Sequence, residues 1–169
     1  MFDRILVPLD GSDEAARALP VAAEMARHFG STLVLLEVVP TGQEWHLHTG
    51  EHDLPPGKQS SDAEERAATA AWRHLERIGA SLNPLPVVSD VRVGRPALTI
   101  TECAVDQHCD LICLSAHGMG RRSLKRTADP KFQGHPVLWM LGAISDRVAH
   151  TSPVPVLIVR PDQAALTGA

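Results

Sequence analysis

The sequence predicts an α/β protein: an open, five-stranded parallel sheet sandwiched by helices, in a single domain over residues 1–162. Three observations carry this. Five short apolar runs alternate with helical patterns in the order β-α-β-α-β-α-β-α-β, and such alternation implies a doubly wound sheet with right-handed crossovers. The runs are near-continuous in apolar residues, as strands are when both faces of a parallel sheet are covered. A chain of 169 residues is long enough to bury one real core.

Arg4 to Asp10 (RILVPLD) reads as a buried strand ending in a turn. Ser12 offers a helix N-cap, with Asp13 and Glu14 suited to the first turn. Ala15, Ala18, Leu19, Ala22, Ala26 and Phe29 then recur at helical spacing, and Gly30 stops the helix. Pro20 falls inside this pattern and is expected to kink it. Ser31 to Val39 is the second strand. Residues 41–60 are polar, rich in Gly, Pro and His, and without a period, so they read as a mobile surface loop.

Ser61 and Glu64 have capping-box spacing before a helix marked by Ala67, Ala68, Ala71, Leu75 and Ile78. Leu85 to Gly94 is the third strand. Pro96 opens the next helix, with Ile100, Cys103 and Ala104 facing inward. Asp110 to Ala116 is the fourth strand. After a basic insert at 119–136, a helix is marked by Val137, Leu141, Ile144, Ser145 and Val148. Val154 to Arg160 is the fifth strand, and residues 163–169 form a disordered tail.

Composition excludes several classes. A net charge of −4 gives no support to nucleic-acid binding. No run of about 18 apolar residues spans a membrane, and the N-terminal apolar run is too short for a signal peptide. The cysteines, Cys103, Cys109 and Cys113, are odd in number and fit no zinc spacing. They read as core residues in a reducing, cytoplasmic setting.

In doubly wound sheets, ligands bind beyond the carboxyl ends of the strands, where strand order reverses. That rule selects Pro8 to Ser12, Val38 to Pro40 and Ser115 onward. Three stretches then stand out in order: RILVPLDGS, DLICLSAHG and LGAISDRVAHTSPVPVLIVRP. Together they resemble the universal stress protein family, over nearly the whole chain except the His-rich loop and the basic insert. The resemblance implies a Rossmann-like, adenine nucleotide alpha hydrolase-like fold. It also implies a homodimer paired through the last strand, Val154 to Arg160. One branch of the family binds ATP; the other lacks the binding loop.

The ATP-binding branch carries G-2x-G-9x-G-(S/T). Its glycines let backbone approach the phosphates, and amides at a helix N-terminus cradle the anion. In this sequence Ser115 stands in the first glycine position, Gly118 in the second and Gly142 in the third. Ala143 replaces the hydroxyl residue, and Ser145 is too far along the helix to replace it directly. The interval from Gly118 to Gly142 is longer than the family's by about 14 residues. By the same resemblance Asp10 lies near the ribose or base, and Pro8, Leu9 and Val38 line the base pocket. Leu114, His117 and Ile144 complete the nucleotide-binding set. The implied ligand is ATP or AMP, with or without Mg2+. The function implied is that of a stress-response regulator with an unknown protein partner. The alternatives are a dimeric interaction module that binds no nucleotide and, third, a slow ATPase.

Each residue also has a plainer reading. Asp10 can be a turn residue or helix cap after a strand, and Gly118 and Gly120 can be turn glycines. His117 reads as a turn residue able to donate a hydrogen bond. His46, His48 and His52 have no rigid frame around them, so a solvated loop is favoured over a metal site, and no metal ligand is assigned. Trp139 reads as core. The insert, with Arg121, Arg122, Lys125, Arg126 and Lys131, is a solvated loop, a docking surface or a phosphate lid. If Arg121 and Arg122 form the lid, their replacement by alanine weakens nucleotide binding by more than about tenfold. Unchanged affinity in a titration removes the lid reading. No catalytic constellation emerges: there is no G-x-S-x-G elbow and no Walker A lysine motif.

Overall fold

The computed structural model describes residues 1–41, 61–118 and 141–160. The His-rich loop with His46, His48 and His52, most of the basic insert with Arg121 and Arg122, Trp139, and the tail lie outside the described residues.

The strands are β1 (Arg4–Leu9), β2 (Thr32–Pro40), β3 (Val87–Gly94), β4 (Leu111–Ser115) and β5 (Val156–Val159). The helices are α1 (Asp13–Ala16), α2 (Ala18–Phe29), α3 (Ser61–Ser81), α4 (Pro96–Asp106) and α5 (Ala143–Thr151). The strands form one parallel sheet in the order β3-β2-β1-β4-β5. The chain thus builds outward from β1 to β3, then returns to the other side of β1 for β4.

Alternation of side chains divides the core into two layers. Ile5, Val7 and Leu9 of β1 face α1, α2 and α3, with Ala18, Ala22 and Leu75 packed on them. Leu6, Val34, Leu36 and Ile112 face α4 and α5, against Ile100, Cys103 and Val148. The small alanines of α2 bring that helix close to the sheet. β3 and β5 are only half-buried, because each pairs with a neighbour on one side alone.

The structure corrects several local expectations. The first helical pattern is two segments, with Arg17 between α1 and α2. Pro20 is the third residue of α2. Its missing N–H falls where a helix has no internal acceptor, so it marks a fresh start rather than a kink. Phe29 is partly exposed, yet its ring meets Phe2 edge-on at 5.4 Å. Ser61 is the first residue of α3 rather than the one before it, so it does not occupy the cap position. The third strand begins at Val87 and the fifth spans Val156–Val159, both shorter than their apolar runs. Other signals hold. Ser12 Oγ accepts from Ala15 N, Gly30 ends α2 with a φ of 70°, and Pro96 stands in the first turn of α4.

Arg92 ties β3 to α4. Its Nε donates to Asp90 Oδ2 at 2.9 Å and its Nη1 to Asp106 Oδ2 at 2.7 Å. Burial opposes the guanidinium charge, but these hydrogen bonds outweigh it and raise its pKa.

All three cysteines are free and buried. Burial pushes the Cys103 thiol up to about 12, against the opposing charge of Arg92, and the Cys113 thiol up to about 11. An unperturbed thiol titrates near about 8.5. Both are therefore neutral at physiological pH and poor nucleophiles. Alkylating reagent at neutral pH is expected to spare both in the native protein and modify both after denaturation. The raised folded-state pKa favours the protonated form. Its contribution to stability is whole below about 8.5 and is lost as pH climbs through about 11 to 12. The melting temperature should fall across that window, less steeply in Cys103→Ala. Rapid native labelling at neutral pH contradicts this account.

Candidate functional site

The reversal of strand order lies between β1 and β4, so the crevice to inspect is at their carboxyl ends. β1 is followed by Asp10, Gly11 and Ser12. Gly11 adopts a φ of 78°, the left-handed turn conformation that glycine takes without strain. The Asp10 side chain folds over this turn. Its Oδ1 accepts from Ser12 N at 3.0 Å and from Ser12 Oγ at 2.6 Å. Ser12 Oγ in turn accepts from Ala15 N at 3.1 Å. The plainer reading of Asp10 as a turn residue is thus real, and it fixes the carboxylate in one orientation.

The other oxygen, Oδ2, lies over Gly118. A methyl group built on Gly118 would overlap Asp10 Oδ2 and stand 3.3 Å from Asp10 Cγ. Glycine is demanded here by a close approach and not by backbone angles. The end of β1 and the turn after β4 are therefore in direct contact.

β4 ends at Ser115, and Ser115, Ala116 and His117 are all buried. Gly142 N donates to Ala116 O at 2.8 Å, and Ser145 Oγ donates to Ser115 O at 2.9 Å. These bonds bring the start of α5 against the turn. Gly142 is the N-cap of α5, with extended backbone and no side chain to cap the helix. The amides of Ala143, Ile144 and Ser145 have no acceptor within the helix. The helix dipole adds positive character at the same place. This part of the site can hold an anion.

Pro8 is half-buried at the end of β1, and Val38 is half-buried near the end of β2. Val38, Leu114 and Ile144 belong to the layer beneath α4 and α5. Leu9 does not join them. Its side chain is buried in the opposite layer beside Ala15 and Ala18, so only its backbone can serve a ligand at the strand ends. Ala143 is exposed at the helix start. The structure brings Asp10, Gly118 and Gly142 together at the carboxyl ends of β1 and β4, beside the turn at His117.

Two contacts were not read from the sequence. Ser12 was expected only as a helix cap, yet it also holds Asp10; an acceptor two residues before a serine is the local signature of such a turn. Ser145 was expected to miss the phosphate, and its hydroxyl is committed to Ser115 O instead. Between α3 and β2, His74 Nδ1 lies 2.7 Å from Glu37 Oε2. Among the described residues no group of three or more His, Cys, Asp or Glu could hold a metal ion, and no helix is long and apolar enough to cross a membrane.

Comparison with known proteins agrees with this architecture. A universal stress protein of Synechocystis is 29% identical over 162 residues, 94% of this chain and 86% of its own. One from Thermus aquaticus is 27% identical over 164 residues, 95% of this chain and 100% of its own. The structure of the universal stress protein UspA from Lactobacillus plantarum superposes with a TM-score of 0.61 at 25% identity, covering 94% of this chain and 97% of that one. The fold is the adenine nucleotide alpha hydrolase-like fold. The model of the universal stress protein family matches residues 1–160, and the chain belongs to that family.

Proposed function

We propose that this protein binds an adenine nucleotide at the carboxyl ends of β1 and β4 and acts as a stress-response regulator. The observation that carries this reading is the convergence of Asp10, Gly118 and the open start of α5 at the strand-order reversal. The helix start offers backbone amides to a phosphate. Asp10 offers a carboxylate to ribose hydroxyls, on the neighbouring strand end. Pro8, Val38 and Ile144 supply apolar surface for the base, and Leu114 is buried in the layer behind Val38 and Ile144. Two solved relatives point the same way. A universal stress protein in complex with cAMP superposes with a TM-score of 0.61 at 19% identity. The one from Archaeoglobus fulgidus in complex with dAMP superposes at 0.58 with 17% identity.

In this reading ATP or AMP occupies the site, with or without Mg2+, in the cytoplasm. The lid, loop and docking readings of Arg121 and Arg122 concern residues outside the described ones. The homodimer forms along β5, whose half-buried apolar residues Val156 to Val159 lie at the sheet edge. A second reading, an interaction module without nucleotide, is favoured by one observation. Ala143 carries no hydroxyl, and the hydroxyl of Ser145 is already engaged elsewhere. Small molecules retained through purification separate the two readings. An adenine nucleotide found by absorbance and mass spectrometry supports the first. No retained nucleotide and no binding at millimolar ATP leave the second.

A further inference from the structure

We infer that Ser145 is a positioning residue for the phosphate side of the site: it holds the start of α5 against the end of β4. This deepens the nucleotide-binding reading and rests on it. Ser145 is a buried polar residue, 6% exposed, in the first turn of α5. Its hydroxyl does not point at the anion space. It donates at 2.9 Å to the carbonyl of Ser115, the last residue of β4, thirty positions earlier in the chain. One turn away, Gly142 N donates at 2.8 Å to Ala116 O. Ala116 N is held in turn by Val159 O of β5 at 2.8 Å.

These bonds form a clamp with two rungs between consecutive carbonyls of β4's end and the first turn of α5. The clamp places the amides of Ala143 and Ile144 beside the turn that carries His117 and Gly118. A hydroxyl at position 143 would act on the phosphate directly, whereas the hydroxyl at 145 acts on the frame. Preorganised donors cost little to align when the ligand arrives, so loosening the frame weakens the phosphate contact while sparing the base.

The test is the preference for AMP over adenosine, measured by calorimetric titration of the full-length protein. Ser145→Cys keeps the side-chain shape with a slightly larger atom and weakens the donor. Ser145→Ala removes the donor, and Ser145→Thr retains a hydroxyl. The preference is expected to fall about tenfold in Ser145→Ala, several-fold in Ser145→Cys, and to be retained in Ser145→Thr, with adenosine affinity changed less than about twofold. Equal loss for both ligands, or an unchanged preference in the Ala and Cys variants, overturns the positioning role and leaves nucleotide binding standing. Wild-type protein that binds neither ligand overturns the nucleotide reading and this inference together.

Discussion

Gly118→Ala is expected to lower nucleotide affinity by about a hundredfold, the largest effect of any single methyl group in the site. The added carbon would occupy the space of Asp10 Oδ2. That oxygen cannot simply swing away, because Oδ1 of the same carboxylate is held by both the amide and the hydroxyl of Ser12. Relief requires either breaking those bonds or pushing the β4 turn outward. The first unseats Asp10, and the second separates the turn from α5. Overpacking of this kind costs about 1–3 kcal/mol, and here it falls on the binding geometry itself. The core is untouched, so cooperative thermal unfolding should persist with a modestly lower midpoint. Titration calorimetry and a melting curve on the same sample check both parts.

Substitution of Asp10 separates its two roles. Asp10→Ala removes the acceptor for Ser12 N and Ser12 Oγ, so the turn into α1 loosens and the ligand contact is lost. A stability loss of about 1–2 kcal/mol is expected, with nucleotide affinity reduced more than tenfold, on the order of the energy of one charge-assisted contact. Asp10→Asn keeps an oxygen for the turn and removes the charge. Its stability should stay within about 0.5 kcal/mol of wild type, while affinity falls nearly as far as in Asp10→Ala. If Asp10→Asn binds like wild type, the negative charge of Asp10 contributes nothing to the ligand contact.

The apolar runs made the sheet legible because a parallel strand covered on both faces must be apolar nearly throughout. β1, β2 and β4 satisfied this and were found nearly where they lie. The edge strands were overextended: Leu85 and Val154 are as apolar as strand residues but fall beyond the pairing of β3 and β5. Pro20 misled for a different reason. Its effect depends on whether it sits in a helix interior or in the first turn, and that is set by the break at Arg17. In the site, Asp10 and Gly142 carry local turn and helix-start chemistry, whereas what Gly118 requires is the approach of Asp10 from the end of β1, which no local rule shows. The layer to which Leu9 turns follows from strand alternation; its line of odd-numbered neighbours, Ile5 and Val7, already carried that information. The clamp from Ser145 to Ser115 was not legible, because no local rule links residues thirty positions apart.

Side-by-side titration of wild type and Gly118→Ala with ATP and with GTP decides whether the ends of β1 and β4 bind an adenine nucleotide. Wild type is expected to bind ATP saturably and GTP at least about tenfold more weakly, and the ATP signal to be lost in a Gly118→Ala protein that still unfolds cooperatively. Absence of ATP binding by wild type at millimolar concentration, or equal binding by the two proteins, would contradict it.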